Sequence, residues 1–325
     1  MERTSSSYPA WSRRDTAFLA RLPLALLVAW TRNEATWERV AHSLARRRTD
    51  AGSARHRSHL STFLSGRFAP AEIERIATAA HAARTLRYLQ ILRCHHPRGW
   101  HPVLRLDGRE HLDAALAQGR GAILWVTPFA YASLATKATL DRHGLPLTHL
   151  SRWQHGPSRS RWGIALINPI QRRAEDRFLR ERVVITPGRD PLVAMRRLLS
   201  CLAENRVVSI TLGEEASRTV AVPFLGGVLH VPLGPIKLAA RSGAPLMPTH
   251  TVGVAPTELV TTVAPPLPIS AAGGASVAGA AAALAAELER QALPWADQLF
   301  WPGGLQAHGP VAGADAPSVA RRAKV

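Results

Sequence analysis

Thr127, Pro128, Tyr131 and Ser133 stand in GAILWVTPFAYASLA (residues 121–135), where an apolar run passes into a turn with polar edges. A strand that ends in Thr-Pro-Phe delivers the side chains after it to the mouth of an α/β site. Hydroxyls at 127, 131 and 133 can donate and accept hydrogen bonds, yet none of the four residues is an ordinary general base. Two other stretches carry groups suited to anions. LSRWQHGPSRSRWG (150–163) interleaves Arg152, Arg159 and Arg161 with Trp153, Trp162 and His155. That pattern suits a nucleotide or carrier phosphate, although a solvated basic loop is the simpler account. EASRT (215–219) places Glu215 three residues before Arg218, which by itself reads as a surface loop with an ordinary ion pair, although a guanidinium can bind phosphate oxygens bidentately.

The elements that must position these groups follow from periodicity. Residues 1–16 read as a polar lead, and 17–102 as a helical section that includes ATWERVAHSLARRR and PAEIERIATAAHAARTLRYLQILR. From 103 to 303 strands and helices alternate. Strands are expected at 103–108, 122–126, 146–150, 182–186, 207–212 and 245–253. Helices are expected at 109–120, 132–144, 172–181, 191–205, 232–243 and 274–293. This order predicts an α/β fold with a central mixed sheet flanked by helices, behind the helical section. The final stretch, 304–325, is poor in bulky apolar residues and is expected to be disordered.

Among 325 residues, 41 are basic and 23 acidic, a formal net charge of +18. Such an excess favours an anionic partner, although an arginine-heavy count also arises from base composition alone. AFLARLPLALLVAW (17–30) is too short for the roughly 20 residues that span a bilayer, and its basic flanks suit an anionic membrane interface or a core helix. No secretory signal is evident, and Cys94 and Cys201 read as buried thiols of a reducing compartment. His95, His96 and His101 lack partners at ligand spacing, so no metal is expected. His143, His149, His230 and His250 are weaker candidates than His155. No dinucleotide fingerprint, P-loop or nucleophile elbow is present, so no cofactor is implied, and nucleic-acid binding rests on charge alone.

HLDAALAQGRGAILWVTPFAYASLA and EEASRTVAVPFLGGVLHVPLGPIKLAARSGAPLMPTHTV, in that order, resemble the lysophospholipid acyltransferase superfamily, most of all the bacterial lauroyl/myristoyl acyltransferases of lipid A synthesis. The resemblance implies acyl transfer from a thioester, on coenzyme A or acyl carrier protein, to an acceptor hydroxyl at the cytoplasmic face of the inner membrane. It also implies a His and an acid five positions apart after the first core strand, where this chain has Pro128 and Ser133. Neither can take up a proton or orient an imidazole. His155 is then a replacement base, Ser133 and Glu215 the other catalytic candidates, and Arg218, Gly226, Arg152, Thr127 and Tyr131 the substrate contacts. The glycines of VPFLGG would let the backbone approach a ligand closely. Three readings remain: an acyltransferase with a non-standard base, a degenerate homologue that binds acyl chains or partners, and a basic nucleic-acid-associated protein. The late block favours the first two.

Overall fold

AILWV has no polar side chain on either face, a pattern suited to a strand covered on both sides of a sheet. In the computed structural model, which describes residues 8–31, 34–47, 51–188, 190–213, 218–255, 257–269, 277–300 and 305–307, this stretch is a fully buried strand. The described chain opens with four helices: α1 (Arg13–Trp30), α2 (Glu34–Arg46), α3 (Ala51–Leu64) and α4 (Pro70–Arg93). Then come β1 (Val103–Asp107), α5 (Arg109–Leu116), β2 (Ala122–Val126), α6 (Ala135–Arg142), β3 (Leu147–Arg152), α7 (Arg161–Leu166), α8 (Asn168–Asp176) and β4 (Leu179–Ile185). The second half runs α9 (Pro191–Ala203), β5 (Val207–Thr211), β6 (Thr219–Phe224), β7 (Gly227–Pro232), α10 (Leu233–Ser242), β8 (Leu246–Ala255), β9 (Glu258–Val263), α11 (Val277–Ala292) and β10 (Leu305–Ala307).

Seven strands form one sheet in the order β1-β9-β8-β2-β5-β3-β4. All neighbours are parallel except β8 and β9, so the sheet is mixed, as the alternation predicts. β6, β7 and β10 make a separate antiparallel sheet. Ile123, Leu124 and Trp125 of β2 lie at the centre of the main core, packed with Leu198 and Leu202 of α9 and Leu284 and Leu288 of α11. That buried apolar area drives the assembly.

Where the structure departs from the periodicity, tertiary pairing explains it. The helix expected over 172–181 starts earlier, at Asn168 with Pro169 in its first turn, and ends at Asp176. Leu179 to Glu181, expected to be helical, extend β4 because β3 offers a parallel partner from Leu147 onward. The stretch around VPFLGG is a hairpin: Phe224 pairs with Gly227, and Leu225 and Gly226 turn the corner at φ 47 and 74. This two-residue turn needs left-handed backbone and accounts for Gly226 without a ligand. Residues 305–307, placed in the disordered tail by composition, pair antiparallel with β7.

α1 serves both ends of the earlier alternative. One face, with Leu22, Ala25 and Leu26, packs against Trp37, Leu89 and Leu92, while Leu24 and Leu27 remain 67% and 68% exposed. Its start is pinned to the site loops. Ser12 forms a capping box with Asp15, and Ser160 Oγ donates to the same Asp15 Oδ2 at 2.6 Å. Burial works against the charged carboxyl, but hydroxyls of Ser12, Ser160 and Ser158 hold it below the usual carboxylate range. The backbone N–H groups of Arg161 and Trp162 donate to Pro9 and Ala10.

Asp15→Ala should therefore cost about 1–3 kcal/mol of stability, and Ser160→Ala about 1 kcal/mol. The double variant should lose less than the sum, because both changes remove one shared contact. Urea unfolding of the three variants measures this; strict additivity would show that Asp15 and Ser160 do not act together.

Candidate functional site

In an open sheet, ligands bind at the carboxyl ends of parallel strands. Here that edge gathers the segment after β2 (residues 127–133) and the loop after β3 (residues 153–160). Glu215 lies outside the described residues, between β5 and β6. Arg218 is exposed at the head of β6, where its carbonyl accepts from Leu233 N. One edge of the fold thus collects most of the residues singled out by sequence.

The 127–133 segment is rigid. Phe129 bridges Leu299, Ala130 N donates to Gln298 O at 2.7 Å, and Phe300 N donates to Pro128 O at 2.5 Å. Thr127 is fully buried and its hydroxyl donates to Thr249 O, away from the opening. Tyr131 is buried against Gly253, and burial pushes its phenol up. Both side chains pack the segment and neither meets a ligand-accessible surface. Between residues 121 and 140 every position is buried except Pro128 and Ser133. The two positions where the resemblance implies a His and an acid are therefore the two that face outward.

Behind Ser133 lies a charged network that sequence did not reveal. Glu175 of α8 is fully buried and accepts from four donors. They are Lys137 Nζ of α6 at 3.1 Å, Arg182 Nη2 of β4 at 3.0 Å, His155 Nε2 at 2.9 Å and Gln171 Nε2 at 2.8 Å. Burial alone would push the carboxyl up, but Lys137, His155 and Arg182 hold it well below the usual carboxylate range. Lys137 is itself buried, which pulls its ammonium down against the pull of Glu175. Its Nζ also donates to the carbonyl of Ser133, so the network touches the accessible gap directly.

His155 is placed by its loop. Asn168 Nδ2 donates to the carbonyls of Gln154 and Ser158, and its Oδ1 accepts from Ser158 N. Gly156 lets this happen: a Cβ there would sit 2.5 Å from Asn168 Cγ. Facing an ionised carboxylate, Nε2 carries a proton, so in the neutral ring Nδ1 is the nitrogen that keeps its lone pair. Among the described residues, no side chain or backbone group hydrogen-bonds Nδ1, and the side chain is 26% exposed. The pair is an imidazole oriented by a carboxylate, with its basic nitrogen free.

The other candidates are spent or neutral. His149 Nδ1 lies 2.9 Å from Ser209 Oγ, and burial holds the ring well below the usual histidine range. His250 is buried beside Phe129 and is pushed down to about 4 by burial. His95 and His101 bond the carbonyls of Ile170 and Arg98. Arg159 spends Nη1 on carbonyls of its own loop, and Trp153 meets Tyr8 edge to face. Arg152 closes β3.

Glu175→Gln should cost about 3–5 kcal/mol at neutral pH, because it strands the buried Lys137 and Arg182. Since the folded-state carboxyl is depressed, its contribution is present above the unfolded value near 4.3 and fades as pH falls toward the folded value. The stability gap between wild type and Glu175→Gln should therefore close below about pH 4. Denaturant titrations at several pH values test this; a gap that does not change with pH would mean Glu175 is not ionised in the fold.

Residues 71–301 match the family of bacterial lipid A biosynthesis acyltransferases, more than half of the chain. Over 146 residues the chain is 34% identical to phosphatidylinositol mannoside acyltransferases of two strains of Mycobacterium tuberculosis. That match spans 45% of this chain and 43% of each relative. The matched region runs from the start of α4 through the whole seven-stranded sheet and includes Pro128, Ser133 and the Glu175 network. The chain belongs to the bacterial lipid A biosynthesis acyltransferase family.

Proposed function

We propose that this protein transfers an acyl chain from a thioester donor, acyl-coenzyme A or acyl carrier protein, to a hydroxyl of a lipid-like, phosphate-bearing acceptor. The observation that carries this is the outward-facing pair Pro128 and Ser133, backed by the oriented His155–Glu175 pair. His155 Nδ1 takes the proton of the acceptor hydroxyl as its oxygen attacks the thioester carbonyl. The carbon–sulfur bond breaks, and the imidazolium returns the proton to the departing thiolate. Glu175 keeps the ring in one tautomer and stabilises its positive charge. Arg152, at the end of β3, and Arg218, exposed at the head of β6, supply charge for phosphates of donor and acceptor.

A second reading has its own observation. Pro128 and Ser133 offer no proton acceptor where the family resemblance implies one, so the chain would be a homologue that binds acyl lipids without turnover. Incubating the purified chain with acyl-coenzyme A and a bacterial lipid extract, and reading acylated lipid by mass spectrometry, separates the two. His155→Gln should slow product formation about 10²–10⁴-fold. Unchanged turnover in His155→Gln contradicts the base assignment, and absence of product from wild type favours the binding module.

The same reading places the chain on an anionic membrane surface, at the cytoplasmic face of the inner membrane. No helix among the described residues is long and apolar enough to cross a membrane. Leu19, Leu24, Leu27 and Trp30 of α1 are exposed, as are Trp162 and Leu166 of α7, whose first residues bond to Pro9 and Ala10 just before α1. Arg13, Arg14, Arg21 and Arg161 lie among them in sequence. Apolar side chains with basic neighbours suit the headgroup boundary of an acidic bilayer. Each leucine inserted contributes about 1.5–3 kcal/mol. Leu24→Glu with Leu27→Glu should then lower co-sedimentation with phosphatidylglycerol vesicles at least tenfold, and high salt should weaken the wild type. Equal binding by the double variant would move the membrane face elsewhere.

A further inference from the structure

Arg87 of α4 points its guanidinium at Ser133, with Nη1 donating to Ser133 Oγ at 3.4 Å. Its Nε is buried and has no hydrogen-bond partner among the described residues. No carboxylate of the described residues hydrogen-bonds to it. Glu175 acts on it through space, but that carboxylate is saturated by Lys137, Arg182, His155 and Gln171. A guanidinium held this way is costly unless an anion completes it. Arg84 stands one turn away on the same helix face. The two guanidiniums lie 5.1 and 5.3 Å from the centre of the Phe300 ring, which is tied through its backbone to Pro128.

Accessibility singles out the same place. Arg84, Arg87, Pro128, Ser133 and Phe300 are all partly exposed, although most of the 121–140 segment is buried. The first turn of α6 begins beside Ser133, and Leu134 at its cap makes no side-chain hydrogen bond to it. The positive end of that helix adds to the two arginines. An acidic residue at position 133 would stand within reach of Arg87 and neutralise it; the serine leaves that charge for something else.

We propose that Arg87, with Arg84, Ser133 and the start of α6, forms an anion site that takes a phosphate group beside the acyl-transfer position. Arg87 offers planar donors matched to phosphate oxygens, Arg84 adds charge, and Ser133 Oγ donates a neutral hydrogen bond. That the phosphate belongs to a lipid acceptor rests on the acyl-transfer reading above; the anion site itself does not. Lipid headgroup and free phosphate share this chemistry, and the two are separated by experiment.

Inorganic phosphate and a soluble short-chain phosphatidic acid are titrated calorimetrically into the full chain at about 0.15 M salt, which screens diffuse binding. Thermal melting is followed with and without each. Both anions should bind the wild type and raise its melting temperature. Arg87→Gln should weaken both at least tenfold, Arg87→Lys should recover part of the loss, and the exposed control Arg105→Gln should bind as wild type. Ser133→Glu should abolish anion binding while melting higher than anion-free wild type, because its own carboxylate takes the phosphate's place. This variant keeps the test open even if Arg87→Gln fails to fold. Binding of phosphate without phosphatidic acid would keep the anion site and remove the lipid acceptor from it. No binding to wild type, or binding indifferent to both Arg87→Gln and Ser133→Glu, overturns the proposal.

Discussion

One buried carboxylate organises the functional edge of this protein. Glu175 leaves water completely, a step that costs several kcal/mol for a bare charge, and recovers it only by accepting from four donors at once. Those donors come from α6, α8, β4 and the loop after β3. Strand order alone would leave these elements free to shift against one another; a shared charge in a low-dielectric interior fixes their relative positions to within a hydrogen bond. Through Lys137 the constraint reaches the Ser133 carbonyl, and through His155 it orients a partly exposed imidazole at this edge.

The two outward positions of the segment after β2 are the ones at which the family resemblance implies a His and an acid, and here they hold Pro128 and Ser133. The segment after β2 is clamped by the strand-like stretch 298–300, so its two outward positions are held whatever residues occupy them. Neither Pro128 nor Ser133 can accept a proton, so on the acyl-transfer reading that role falls to another element. The Glu175 network supplies a candidate from the neighbouring strand's loop. Serine at 133 gives Arg87 a hydroxyl to bond rather than a carboxylate, which leaves its charge for the external anion proposed above.

Sequence pattern made much of the fold legible, because burial on both faces leaves a mark. AILWV could only be a central strand, and β2 has those bounds. The alternation of strands and helices gave the α/β class and the helical front section. Two differences have one cause: local periodicity does not see a partner strand. FLRE reads as the end of a helix until β3 is beside it, and VPFLGG shows its glycines but not the hairpin they turn. The family resemblance located the edge and drew attention to 128 and 133. It did not show Glu175, Lys137, Arg182 or Arg87, since the network joins residues from separate elements, His155 to Glu175 across 20 residues and Arg87 to Ser133 across 46. The clues were faint: a single Glu among the arginines of RRAEDR, and a lysine one turn after Ser133. His155 was visible as a residue but not as a dyad, because its partner is supplied by α8.

The claim on which the account rests is that Glu175 fixes His155 with Nε2 protonated and Nδ1 bare. Nitrogen-15 NMR of the imidazole in the full chain, recorded where the ring is neutral, reads this tautomer directly. The account predicts a single Nε2–H form in wild type that reverts to a tautomer mixture in Glu175→Gln. An Nδ1–H form, or a mixture already present in wild type, would contradict it.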